Sequence, residues 1–150
     1  MAYPADDEEL MDIFYEETQS LICEMRGNLS TLSQGREARE KTACSSNEYF
    51  ESSLIALREQ STVLRRLFRC AHIIKSSSDT VGFDELREVT EALEKFFKKA
   101  GDRRFAVTAD VISLLSESVE ACQKLLNHEE ITGHQELLDR LNSILQTCGA

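Results

Sequence analysis

The stretch LFRCAHIIKSSSDTVGF, Leu67 to Phe83, decides how the rest of the chain is read. Leu64, Leu67, Phe68, Ala71 and Ile74 recur at steps of three and four, which puts them on one face of a helix that Gly82 ends. His72 lies about 100° around from Ala71, at the edge of that apolar face. Lys75 and Ser76 project beside it, one turn further along. An imidazole near neutral pH is both a nucleophile and a proton acceptor. A lysine one turn away can hold phosphoryl oxygens as a point charge, and a small residue at i+4 leaves the ring open to a second protein. The charge also reverses here. Between Ser61 and Phe83, Arg65, Arg66, Arg69 and Lys75 face Asp79 alone, inside a chain of net charge −10.

The helical period holds on both sides of this segment. The pattern predicts core helices over residues 7–33, 61–81, 84–100 and 108–127, with an accessory C-terminal helix over 133–148. The first has its stripe at Leu10, Ile13, Phe14, Leu21, Met25, Leu29 and Leu32, and opens on Asp6 with Glu9 three residues later. In the third, Asp84 is the expected cap, Leu86, Val89, Leu93, Phe96 and Phe97 point inward, and Gly101 is the stop. Thr108 starts the fourth, with Ile112, Leu115, Val119, Cys122 and Leu126 inward. Thr132 with Gln135 is expected to cap the fifth, whose inner residues are Leu137, Leu138, Leu141, Ile144 and Leu145. Residues 33–47 read as a loop with almost nothing to bury, and Ser45 with Glu48 opens a short helix over 49–57. Whether 48–60 joins the helix after it or forms a separate turn stays open, so 34–60 is a loop or short helix. No segment has a period of two. The expected fold is all-α: an up-down antiparallel four-helix bundle with one or two accessory helices, forming a single domain over 1–150.

Composition removes whole classes of function. The chain has 150 residues, 41% of them apolar, which is enough for one core. With no Trp, 7% aromatics and 27 acidic against 17 basic residues, neither a stacking platform for nucleic acid nor binding to an anionic membrane is expected. The acidic start, MAYPADDEELMD, is unlike a signal peptide, and the expected location is cytoplasmic. Cys23, Cys44, Cys70, Cys122 and Cys148 are odd in number and widely spaced, so neither a disulfide nor a metal site is assigned. His128 and His134 read as solvated loop residues.

Ala71, His72, Lys75, Ser76, Ser77, Ser78 and Gly82 resemble the signature of the histidine phosphotransfer (HPt) domain, roughly A-H-x-x-K-[GS]-S-S-x-x-x-G. The likeness is nearest to the N-terminal phosphotransfer domain of CheA-type chemotaxis histidine kinases. It extends through the acidic first helix, LMDIFYEETQSL, and the third, FDELREVTEALEKFF. Ser76 stands where many members of the family carry glycine, and 35–60 is longer than the connection the resemblance implies. The resemblance implies that His72 is the phosphoacceptor, that Lys75 neutralises the phosphoryl group, and that Glu94 accepts a hydrogen bond from the imidazole. Glu94 follows inward-facing Leu93 and lies at the margin of its own stripe, where it can reach a neighbouring helix. Glu91, one turn earlier, is an alternative or auxiliary partner; Arg69, Ser76 and Glu91 are candidate docking residues. The arginines are either the wet face of their helix or an attraction for an acidic partner.

The implied activity is a phosphorelay step. A histidine kinase ATP-binding domain phosphorylates His72, and an aspartate of a response regulator receiver domain takes the group, in chemotaxis-type signalling. With no GxxxxGK[ST] loop or glycine-rich lid, ATP and Mg²⁺ are expected on the partners and no cofactor on this domain. It would be a phosphocarrier, or the phosphoacceptor part of a protein-histidine kinase, and a monomer. Both a free-standing protein and the start of a larger kinase fit the sequence. The rival is a non-phosphorylated helical-bundle adaptor that keeps the fold without the phosphoryl traffic.

Overall fold

The computed structural model describes residues 8–41, 46–102 and 107–148, and within these the side chains of 36–41, 46–57 and 147–148 lie outside the description. Five helices account for nearly all of it: α1 (Glu8–Lys41), α2 (Ser46–Val81), α3 (Asp84–Gly101), α4 (Ala109–Leu126) and α5 (His134–Cys148). There is no strand among the described residues. The first four helices form the expected bundle. α2 and α4 lie on a diagonal, each packed chiefly between α1 and α3.

Polar pairs record the directions. Tyr15 donates to Asn127, Gln19 and Gln123 exchange amide hydrogen bonds at 2.7 Å, and Arg26 grips Glu120 with two nitrogens, so α1 and α4 are antiparallel. α5 runs parallel to α3 along its outer side: His134 meets Glu88 at one end and Lys99 donates to the Leu145 carbonyl at the other. With α2, α4 and α5 all against it, α3 buries a broad face that takes in Leu86, Val89, Thr90, Ala92, Leu93, Phe96, Phe97 and Ala100. This breadth leaves only a narrow margin for polar residues, and Glu94 occupies part of it.

The stripes read from the sequence are buried in α2, α3, α4 and α5, except that Phe68 and Ile144 are only partly covered. Burial pushes the thiols of Cys70 and Cys122 up to about 12, which keeps them protonated packing groups. Cys23 is exposed and free; Cys44 and the side chain of Cys148 lie outside the described residues.

Several expectations need correction. The loop read over 33–47 is helical as far as Lys41, and residues 48–60, left open between a separate turn and the helix after them, belong to α2. Arg, Glu, Ala and Lys in REAREK are strong helix formers, so that segment needs no apolar stripe to stay helical. Asp6 and Ser45, expected as caps, lie outside the described residues. Leu10 and Ile13, assigned to the core stripe, are 41% and 45% exposed. At this level α1 turns Met11 and Phe14 to the core, and Leu10 and Ile13 lie outside that face. Asp84 is the first helical residue of α3 and not its cap; Phe83 takes that position with no side-chain hydrogen bond. Asp84 and Glu85 instead place negative charge in the first turn, where the helix dipole favours it. Thr132 is displaced as the cap of α5 by Gly133, whose carbonyl accepts from the Leu137 amide. Thr108 does cap α4, its hydroxyl accepting from the Val111 amide.

Gly82 ends α2 with φ at 77°, as the Phe83 amide bonds back to Ser78 and the Gly82 amide to Asp79. That left-handed turn directs α3 back along α2 and brings Glu94 to the level of His72. A Cβ at 82 would meet nothing within 4 Å, so the cost of adding one comes from the backbone. Gly82→Ala should therefore lower stability by about 1 kcal/mol, read as an earlier urea midpoint with an unchanged slope.

Candidate functional site

α2 and α3 meet in an antiparallel pair whose solvent edge carries His72, Lys75 and Glu94. The His72 Nδ1 lies 2.9 Å from Glu94 Oε2. The Lys75 Nζ donates to the same carboxylate, at 3.1 Å from Oε1 and 3.0 Å from Oε2. The three side chains differ sharply in cover: His72 is 54% exposed, Lys75 28% and Glu94 17%. The carboxylate is thus set into the seam between the helices, and the imidazole stands on its rim.

Burial works to raise the Glu94 carboxyl, but hydrogen bonds and charge from Lys75 and then His72 outweigh it and hold the group below the usual carboxylate range. Because Glu94 is then ionised and can only accept, Nδ1 must carry the ring proton. The Nε2 lone pair is left for chemistry. A carboxylate depressed in the folded state adds stability above its unfolded pKa and loses it as pH falls through the folded one. The stability difference between the native chain and Glu94→Gln should therefore be constant near neutral pH and shrink below about pH 4. Chemical denaturation of both proteins between pH 3 and pH 7 checks this.

Phe68 completes the setting. Its partly buried ring stacks on the imidazole, with centroids 6.1 Å apart and planes at 11°. The sequence reading counted Phe68 as a core residue and missed this contact. The signal was its place four residues before His72, the spacing at which helical side chains meet.

The candidate docking residues fall in different places. Arg69 and Ser76 are exposed on the ridge that carries His72. Glu91, the alternative imidazole partner, instead pairs with Arg87 at 3.1 Å and Lys95 at 3.7 Å. Along the serine run, Ser76 is exposed, Ser77 is intermediate and Ser78 is fully buried.

The other two histidines are more engaged than solvated loop residues would be. His134 is 20% exposed and bonds through Nε2 to Glu88 at 3.1 Å, while its Nδ1 is buried with no partner among the described residues. This second histidine–carboxylate pair presents no open nitrogen. His128 is exposed but stacks on Phe83, holding a positive φ of 59° where α4 ends. Among the described residues, no three His, Cys, Asp or Glu side chains converge as a metal cluster, and no helix is long and apolar enough to cross a membrane.

Comparison with known proteins identifies a family. Residues 9–150 match the family model described as Hpt domain. Chemotaxis protein CheA of Borreliella burgdorferi is 24% identical over 121 residues, which covers 81% of this chain and 12% of that protein. Sensor histidine kinase CheAY of Helicobacter pylori is 29% identical over 83 residues, covering 53% of this chain and 10% of that protein. The chain therefore spans about a tenth of the length of these relatives.

Proposed function

The chain belongs to the Hpt domain family, a phosphotransfer module of two-component signalling, and on that premise we propose that His72 Nε2 carries the phosphoryl group in a chemotaxis-type relay. The donor is the ATP-binding domain of a histidine kinase and the acceptor an aspartate of a response regulator receiver domain. The observation that carries this reading is the rim geometry: one imidazole nitrogen is held by Glu94 at 2.9 Å on a ring that is more than half exposed.

Each step balances without a group from this chain being consumed. In the first, the Nε2 lone pair attacks the γ-phosphorus of ATP, the N–P bond forms, and the P–O bond to ADP breaks. The ring gains positive charge while its proton stays on Nδ1, facing Glu94. A fixed carboxylate at that point stabilises the charge as it develops. In the second step a carboxylate oxygen of the regulator attacks phosphorus, the N–P bond breaks, and its electron pair returns to the ring. Keeping the ring protonated on Nδ1 makes it the better leaving group, so one contact assists both directions. Lys75 supplies an ammonium one turn from the ring, for the phosphoryl oxygens. ATP and Mg²⁺ are assigned to the partner domains, and this domain acts as a monomeric carrier in the cytoplasm.

The test is a chase. The chain is labelled with a chemotaxis-type kinase domain and Mg-ATP, freed of nucleotide, and mixed with a receiver domain. Label leaving the chain as it appears on the receiver supports the carrier reading; label that persists through the chase contradicts it, and a chain that takes up no label favours the silent adaptor.

A further inference from the structure

His72 divides its edge of the bundle into two electrically different halves. Toward the C-terminal end of α2, each nearby cation is matched: Lys75 lies on Glu94, and Arg87 lies between Asp79 at 3.9 Å and Glu91 at 3.1 Å. Toward the other end, Arg69 and Arg65 stand three and seven residues before His72, which puts both on its ridge of α2. Lys98 follows Glu94 by one turn, and the antiparallel run of α3 brings it to the level of Phe68. All three cations are exposed, and none has an ion-pair partner among the described residues. The chain as a whole carries −10, so an acidic partner would be repelled from most of its surface.

We propose that Arg65, Arg69 and Lys98 form the docking surface for the receiver domain and recognise the carboxylate rim of its phosphoacceptor site. This inference rests on the phosphotransfer reading of His72. An aspartate that takes a phosphoryl group with the help of Mg²⁺ must sit among further carboxylates that hold the ion, so the mouth of that site is negative. A kinase domain instead presents a γ-phosphate whose charge its own Mg²⁺ and cationic residues already offset. Unpaired cations on the edge that carries His72 therefore suit the regulator better than the nucleotide. They steer its approach and set its register, with the partly buried Phe68 ring as the apolar surface between α2 and α3.

The experiment measures binding of the unphosphorylated full chain to an Mg²⁺-loaded receiver domain of a chemotaxis response regulator, by titration in about 50 mM and about 300 mM salt. The native chain should bind more weakly at high salt. The triple variant Arg65→Glu, Arg69→Glu, Lys98→Glu should bind at least about tenfold more weakly at low salt and lose the salt dependence. Lys124→Glu, on the diagonal helix α4, should leave both unchanged. Circular dichroism confirms that the triple variant is folded, as expected for exposed positions; if it is not, the three single reversals are each expected to weaken binding in the same direction. A triple variant that binds like the native chain, or a native chain that does not bind the receiver, overturns the proposal. Since binding is read without phosphate, such a failure beside a labelled His72 removes the docking surface alone. An unlabelled His72 removes the phosphotransfer reading itself.

Discussion

His72→Gln abolishes phosphoryl uptake and leaves the bundle folded. The amide of glutamine has no lone pair of comparable nucleophilicity, so the variant can neither form nor break a P–N bond. Its size and polarity still allow a hydrogen bond to Glu94, which is not left as an unpaired, largely buried carboxylate beside Lys75. Because the His72 side chain is 54% exposed, the stability change should stay within about 1 kcal/mol. The expected residual label is zero. Among the remaining histidines, His134 has one nitrogen on Glu88 and the other buried, and His128 has no carboxylate hydrogen-bonded to its ring among the described residues. Label incorporation with a kinase domain, with a small-molecule phosphodonor as a second source, checks this. Label on His128 in the variant would contradict it.

The second large effect falls on Glu94. Glu94→Ala removes the group that fixes the Nδ1 proton and faces the charge that grows on the ring, and it releases Lys75 from its resting partner. Loss of a carboxylate that orients an imidazole typically costs about 10–100-fold in activity, and that is the drop expected in the rate of phosphoryl acceptance. Glu94→Gln should fall between the two, since its amide oxygen can still accept from Nδ1 but brings no charge. The signature is a slower rate with the full final amount of label, because the nucleophile itself is intact. Rapid-quench kinetics at saturating kinase domain distinguish this from a docking defect, which saturation would relieve. An unaltered rate in Glu94→Ala would remove Glu94 from the mechanism.

Much of this was legible because two periodic signals coincide in α2. One puts Leu64, Leu67, Ala71 and Ile74 in the core, and the other puts His72 and Lys75 at its edge. Glu94 was implied by the family resemblance, and its place after inward-facing Leu93 was consistent with that role. What the sequence concealed depends on neighbours distant along the chain. Leu10 and Ile13 continue an apolar period but lie outside the face that Met11 and Phe14 turn to the core, and periodicity alone does not say which of two adjacent apolar stripes is covered. The length of α1 was missed because the sequence of its last turns, REAREK, has no apolar period and signals helix only through residue propensity. His134 looked like a loop residue because nothing in the sequence indicates that α5 lies parallel to α3 with Glu88 opposite its first residue.

The hydrogen bond between Nδ1 and Glu94 makes the central claim specific to one atom. The direct measurement is nuclear magnetic resonance of the phosphorylated chain, with the imidazole nitrogens labelled and the P–N coupling assigned under alkaline conditions that preserve the bond. The account predicts phosphorus on Nε2 of His72, with Nδ1 still hydrogen-bonded. Phosphorus on Nδ1, or on any residue other than His72, would contradict it.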